Sequence, residues 1–264
     1  MKALSILYHD VVETGAYDHS GFRGPSANSY KLEHGDFAEH LESIASVLHN
    51  RPATVFDLLK APGGKLRFLL TFDDGGSSAC RIAEMLEQRG WLAHFFVTTD
   101  YIGTSGFLTP QEIRSLHSHG HVIGSHSCSH PRRMSTCSSQ ALETEWKLST
   151  EVLSQLLGVR VTVASVPGGD YSHSVAAAAA KVGMQALFTS EPTSRCHRVG
   201  NCWILGRYGV AQGTSASLAA DLAAGSFLPC LEQRLFWNVK KVLKRVAGST
   251  YDRVRAISFG EDRS

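Results

Sequence analysis

Short apolar runs rich in β-branched and aromatic residues alternate along this chain with longer stretches whose apolar residues recur three and four positions apart. The runs at residues 4–9, 68–72, 93–98, 121–125, 161–166, 186–189 and 204–210 are predicted strands. Several are apolar at nearly every position, as parallel strands are when both sheet faces are covered. Between them, Phe37, Leu41, Ile44 and Leu48 mark one helix face, with Asp36 as the expected cap and Glu39 three positions later at capping-box spacing. Ser78 is the expected cap of a helix that carries Ile82, Met85 and Leu86 on its apolar face and ends at Gly90. Thr109-Pro110-Gln111-Glu112 is a fuller start signal, with proline at the first helical position and glutamate at the third. Two more helices are predicted over 143–157, stopped by Gly158, and over 174–181, stopped by Gly183.

Strands separated by helices point to an α/β fold around a parallel sheet. A closed or nearly closed barrel fits this alternation better than the competing open, doubly wound sheet. No repeat, linker or shift of composition divides the 264 residues, so a single domain over 1–264 is expected. Its motif-bearing core covers about 4–210, and a C-terminal extension, 211–264, is read as helices packed outside that core. An apolar fraction of 43% is ample for the core, and a net charge of +2 gives no whole-chain field toward nucleic acid or an anionic membrane. The basic run 240–245 reads as a solvated helix face. Six cysteines occur without a CxxC pair, which argues against a disulfide framework or zinc ribbon and fits a reducing compartment. The first residues show no apolar segment followed by a cleavage site, and no run approaches the roughly 18 apolar residues of a membrane span. A cytoplasmic enzyme without a nucleic-acid partner is the expectation.

In a parallel barrel, functional groups collect where strands end. Ionisable residues here gather at one predicted end of the sheet. Tyr8-His9-Asp10 closes the first strand and Asp73-Asp74 the second; His126-Ser127-Cys128-Ser129-His130-Pro131 follows the fourth. Pro167-Gly168-Gly169-Asp170 follows the fifth, and Arg207 and Tyr208 lie on the seventh. Two imidazoles four positions apart and one carboxylate form a facial ligand set that leaves metal positions open. Successive side chains on extended backbone point in opposite directions. The two aspartates are therefore expected to divide the work, one holding a metal ion and the other taking a proton from the water it activates. Gly75 and Gly76 are read as removing bulk so that backbone can approach the reacting group. The alternative is an ordinary acidic turn capping the helix at Ser78.

With TFDDG at 71–75, HSCSHP at 126–131 and SVPGG at 165–169, the chain resembles the polysaccharide deacetylase family, the NodB-homology hydrolases of carbohydrate esterase family four. The first two segments match that family's first motifs, and the third sits where R-x-P-[YF]-G would fall. The resemblance covers about residues 4–210. It implies a distorted seven-stranded (β/α) barrel, hydrolytic removal of N- or O-acetyl groups from a sugar, and one divalent metal ion, usually zinc. Carried over by position, Asp73 would be the general base, and Asp74, His126 and His130 the metal ligands. The backbone N–H of Gly168 would serve the oxyanion site. Gly169, Asp170 and Tyr208 are further candidates for the oxyanion site and substrate groove, which His173 could also line.

Two family residues have no evident counterpart. Ser165 stands where the third motif's arginine, which orients the base, is expected; Arg207 is the candidate replacement, and an ordinary surface arginine the alternative. No L-x-H segment supplies the general acid. His9 is the candidate there, and a packing histidine the alternative. The histidines at 117, 119 and 121 lie before or at the start of the fourth strand while the site follows it, and five strand residues at about 3.3 Å each separate the two by roughly 16 Å. A solvated helix end is expected for them. Cys128 is read as no metal ligand, and Trp146 and Trp203 as core. The expected function is metal-dependent deacetylation of an N-acetylated sugar in a polysaccharide, oligosaccharide or precursor. Hydrolysis of a small cyclic or non-sugar amide, and a non-catalytic carbohydrate-binding barrel, are the alternatives.

Overall fold

The computed structural model describes residues 1–239. Its strands are β1 (Ala3–Tyr8), β2 (Val11–Val12), β3 (Leu32–Glu33), β4 (Arg67–Phe72), β5 (His94–Val97), β6 (Val122–Ser125), β7 (Val163–Ser165), β8 (Ala186–Phe188), β9 (His197–Val199), β10 (Cys202–Leu205) and β11 (Tyr208–Gly209). Its helices are α1 (Pro25–Asn28), α2 (His34–Val47), α3 (Val55–Lys60), α4 (Ala79–Glu87), α5 (Pro110–Ser118), α6 (Ser139–Leu157), α7 (His173–Lys181) and α8 (Ala216–Ala224).

The main sheet runs β11-β1-β4-β5-β6-β7-β8-β10-β9. It is parallel except where β9 pairs with β10. The sheet is curled: β11 flanks β1 at one margin and β10 flanks β8 near the other, yet only Gly206 and Arg207 separate β10 from β11 in the chain. The strand expected over 204–210 is thus two strands on opposite margins, broken at this pair. Register brings the strand ends to one level, with Tyr8 opposite Phe72 and Val97 opposite Ser125.

Alternate side chains face the inside of the curl. Leu69, Phe96, Val122, Val163, Phe188 and Leu205 form an apolar inner cluster together with Val55 and Leu58 of α3. Helix α3 therefore packs against the interior, and Val55 N–H donates to His94 Nε2 at 2.8 Å while His94 Nδ1 meets Leu70 O at 2.8 Å. Sequence periodicity did not reveal α3, although Thr54 and Asp57 carry a reciprocal capping box.

Outside the curl, α2 and α8 pack on each other and α8 on β1. Trp146 of α6 is fully buried, as expected of a core residue, and its indole N–H reaches Val175 O at 3.3 Å. Trp203 is only half-buried, with the Arg198 guanidinium over its ring. Three expected caps have different outcomes. Thr109 and Glu112 do form a capping box at α5. Asp36 is not a cap: α2 starts two residues earlier, after Glu33, and Asp36 lies in its first turn. Ser78 occupies the cap position of α4, but its hydroxyl donates to Asp10 Oδ1 at 2.7 Å instead of capping. His121 is buried rather than solvated, with Nδ1 accepting from Ala93 N–H at 3.2 Å and Nε2 facing Glu87. After α8, residues 227–239 are helical; the basic run 240–245 lies outside the described residues. No helix among the described residues is long and apolar enough to cross a membrane.

Candidate metal centre and active site

The strand ends of β1, β4, β6 and β7 converge on one layer of polar groups. Asp73 continues the inward parity of Leu69 and Thr71, and its N–H donates to Tyr8 O at 3.1 Å. At Asp74 the backbone turns left-handed, with φ +77°. Among the described residues, the non-glycine positions with positive φ are Asp74, Ser127 and His130. Backbone strain is thus concentrated where the two aspartates meet the two histidines, as is common where geometry is held for function.

His126 leaves β6 with its N–H on Val97 O at 2.9 Å and its Nδ1 at 3.1 Å from Ser165 O. A carbonyl only accepts, so Nδ1 carries a proton; Nε2, turned to the aspartates, donates to Asp74 in the protonated ring and offers a lone pair in the neutral one. That Nε2 lies 3.3 Å from Asp74 Oδ1, and His130 Nε2 lies 3.6 Å from the same oxygen. One donor atom each from Asp74, His126 and His130 falls within 4.8 Å of the other two. Zinc bonds of about 2.0–2.1 Å in tetrahedral array place ligand atoms roughly 3.3 Å apart. The residues therefore fit a divalent ion in separation, donor type and tautomer.

Asp73 has different company. Arg207, 0% exposed, forks onto it, with Nη1 at 2.7 Å from Oδ1 and Nη2 at 2.8 Å from Oδ2. The same guanidinium donates to Ser165 Oγ at 2.7 Å, Thr189 O at 3.0 Å and Thr71 Oγ1 at 3.2 Å. Ser165 Oγ donates in turn to Asp73 Oδ2 at 3.0 Å. The surface-arginine reading of Arg207 is overturned: the break between β10 and β11 turns it inward, over the rings of Phe96 and Phe188. Burial opposes the charge on Asp73, but Arg207 and then His126 outweigh it and hold the carboxyl below its usual range. Asp74 is likewise held low against its burial by its bond to His126 and the nearby imidazoles.

The remaining candidates divide. His9 follows β1, with its ring 5.2 Å from that of Tyr30, and it stands close enough to both aspartates to help lower their pKa values. Its Nδ1 is buried and has no hydrogen-bond partner among the described residues. Gly168 sits exposed in the turn after β7 with φ +58°, a conformation that disfavours the aromatic expected at this position. A side-chain atom there would meet nothing within 4 Å, so the groove is open at this point. Gly169 packs against Ser190 and Trp237, and His173 is exposed at the start of α7. Asp170 does not stand free in the groove: its Oδ2 accepts from Ser135 N–H at 2.9 Å and Ser135 Oγ at 2.6 Å, tying two loops together. Tyr208 is a core residue, buried and opposite Ile6, because β11 turns it into the apolar layer under α8. Gly76 is glycine for a reason other than access to the reacting group: a Cβ there would collide with Asp10 and Ser20. Cys128 Sγ lies 3.0 Å from Asp100 Oδ1, outside the ligand set.

Sequence reading passed over Asp10 as a structural group. It is buried and accepts from Ser20 Oγ and Ser78 Oγ, pinning the loop after β2 to the start of α4.

The sequence model described as "Polysaccharide deacetylase" matches residues 60–187. "Putative polysaccharide deacetylase YxkH" of Bacillus subtilis (strain 168) is 26% identical over 198 residues, which cover 73% of this chain and 70% of that protein. Among solved structures, the polysaccharide deacetylase BC0361 of Bacillus cereus superposes with a TM-score of 0.68 at 17% identity, covering 84% of this chain and 69% of that one. The Streptococcus pyogenes deacetylase PplD, solved with acetate, gives 0.66 at 18% identity, covering 82% and 95%. At these identities the two structures speak for the shared fold.

Proposed function

Through residues 60–187 this chain belongs to the polysaccharide deacetylase family, carbohydrate esterases and deacetylases acting on amide and ester bonds, and we propose that it removes the N-acetyl group from a sugar unit of a polysaccharide, oligosaccharide or precursor. One observation carries the reading: two adjacent carboxylates in opposed surroundings, Asp73 forked by a buried arginine and Asp74 facing two imidazoles. Asp74, His126 and His130 would hold the divalent ion, zinc by their donor types. When bound, such an ion supplies a Lewis acid that polarises the acetyl carbonyl and makes water easier to deprotonate.

Asp73 takes the proton from the water that attacks the carbonyl carbon. It is ionised, and Arg207 and Ser165 fix its plane while Oδ1 keeps an unused acceptor position. The N–H of Gly168, in an open turn beside the strand ends, is the donor for the developing oxyanion. His9, near both aspartates, gives a proton to the leaving nitrogen as the C–N bond breaks, so the products are acetate and the free amino sugar. The six free cysteines support a reducing compartment, and we place the enzyme in the cytoplasm.

The test is acetate release from N-acetylglucosamine oligomers, with and without added zinc. Asp73→Asn is expected to lose turnover and keep zinc, and Asp74→Asn to lose zinc affinity. Full activity in Asp73→Asn would remove Asp73 as the base.

A further inference from the structure

Lys31 is 2% exposed, and the proposed reaction does not use it. Its ammonium donates to the carbonyls of Tyr17 at 2.6 Å, Ser20 at 2.7 Å and Phe22. Three donors thus meet three acceptors from one short loop. Carbonyl dipoles converge in this way only around a cation; without it, three oxygens would face one another unpaired. The same loop is also tied by Gly21 N–H to Gly106 O at 2.7 Å and by Ser20 Oγ to Asp10. Of these anchors, Lys31 is the one that grips the carbonyl of Phe22.

Phe22 is where the loop reaches the metal centre. Its ring centroid lies 4.7 Å from that of His130, and it packs edge-on against Tyr101 at 4.9 Å and Phe107 at 5.1 Å. The two histidine ligands are supported unequally. His126 has its Nδ1–H on Ser165 O, buried behind the strand ends. His130 sits on strained backbone, its side chain is 24% exposed, and its aromatic neighbours are Phe22 and His126. We infer that Lys31 is a positioning residue for His130: its carbonyl cage sets the course of residues 17–22 so that the Phe22 ring braces the imidazole in ligating position. This rests on Asp74, His126 and His130 being a metal site.

The test uses the full chain and zinc alone, with Kd measured by chelator competition and folding followed by near-ultraviolet circular dichroism. Groups that orient metal ligands from behind commonly change metal affinity 10–100-fold. Lys31→Met and Phe22→Ala should each weaken zinc binding at least tenfold in protein that remains folded. Lys31→Met/Phe22→Ala should be within about threefold of the weaker single variant, because both act through one ring contact. Phe22→Tyr, which keeps the ring, should bind within about threefold of the unaltered chain. A lysine with a purely structural role would lower the melting temperature and leave the zinc Kd of the folded protein unchanged, and that result overturns the inference. So do losses that multiply in the double variant. If Lys31→Met does not fold, the contrast between Phe22→Ala and Phe22→Tyr decides, and equal affinities overturn it. Absence of zinc binding by the unaltered chain is a distinct result, which overturns the metal site itself.

Discussion

Arg207 offers the sharpest test of how the site is built. Replacing it with methionine keeps much of the volume of the side chain and removes the fork on Asp73, leaving a carboxylate buried without its counter-charge. Breaking a buried pair from one side costs about 3–5 kcal/mol, more than the roughly 1–3 kcal/mol of an unmade neutral hydrogen bond. Asp73→Asn instead leaves a buried guanidinium facing a neutral acceptor. Arg207→Met/Asp73→Asn removes both charges, so the double variant should be more stable than the sum of single losses predicts, by about 2–3 kcal/mol. Urea unfolding of the four proteins at pH 7.5, followed by far-ultraviolet circular dichroism, measures this coupling. A coupling below about 0.5 kcal/mol would refute the view that the two groups meet as a desolvated pair. Arg207→Lys keeps the charge but not the planar fork, and should lower kcat about a hundredfold with the zinc Kd unchanged.

Three further expectations follow from other parts of the structure. His9→Ala should slow turnover at least tenfold with the zinc Kd unchanged, since the leaving nitrogen would lose its proton donor; turnover within about twofold of the unaltered chain would eliminate His9 from that role. Burial, only partly offset by the bond to Leu70 O, pushes His94 down to about 4 from 6.5. The unfolded chain takes this proton near pH 6.5 and the folded one only near 4, so stability is full above that window and falls by about 3 kcal/mol as pH drops through it; His94→Gln should flatten the slope, and parallel curves would contradict the assignment. Gly168→Ala should cost about 1 kcal/mol through its positive φ yet keep activity within a few-fold, because the added atom meets open space; a loss beyond tenfold would mean that substrate fills that space.

The residues that could be read in advance are those whose signal is local. Thr109-Pro110-Gln111-Glu112 carries its whole capping device within four positions, and its helix starts where expected. The Asp73-Asp74 pair and the two histidines lie in short segments at strand ends, and the strand order brings them together. The capping box of Thr54 and Asp57 is equally local, but the six-residue helix it starts is too short to show a periodicity. Ser78 had the right chemistry for a cap, but a buried carboxylate from another segment, Asp10, competes for its hydroxyl. Tyr208 could not be placed, since a run of seven extended residues does not announce that it changes partners at Gly206. Lys31 reads in sequence as an unremarkable cation; its acceptors are backbone oxygens, which every residue has and no motif encodes.

The two-residue break between β10 and β11 has a consequence in time. Asp73, Asp74, His126, His130 and Ser165 are all synthesised before Arg207, so a nascent barrel holds an inward-facing carboxylate with no cation beside it. Only when the chain crosses from one margin of the sheet to the other does the guanidinium arrive. Adding β11 to the far margin and supplying the counter-charge of the buried Asp73 are therefore one event. An opening cut there, as in a circular permutant beginning at Arg207, would let the two be timed separately.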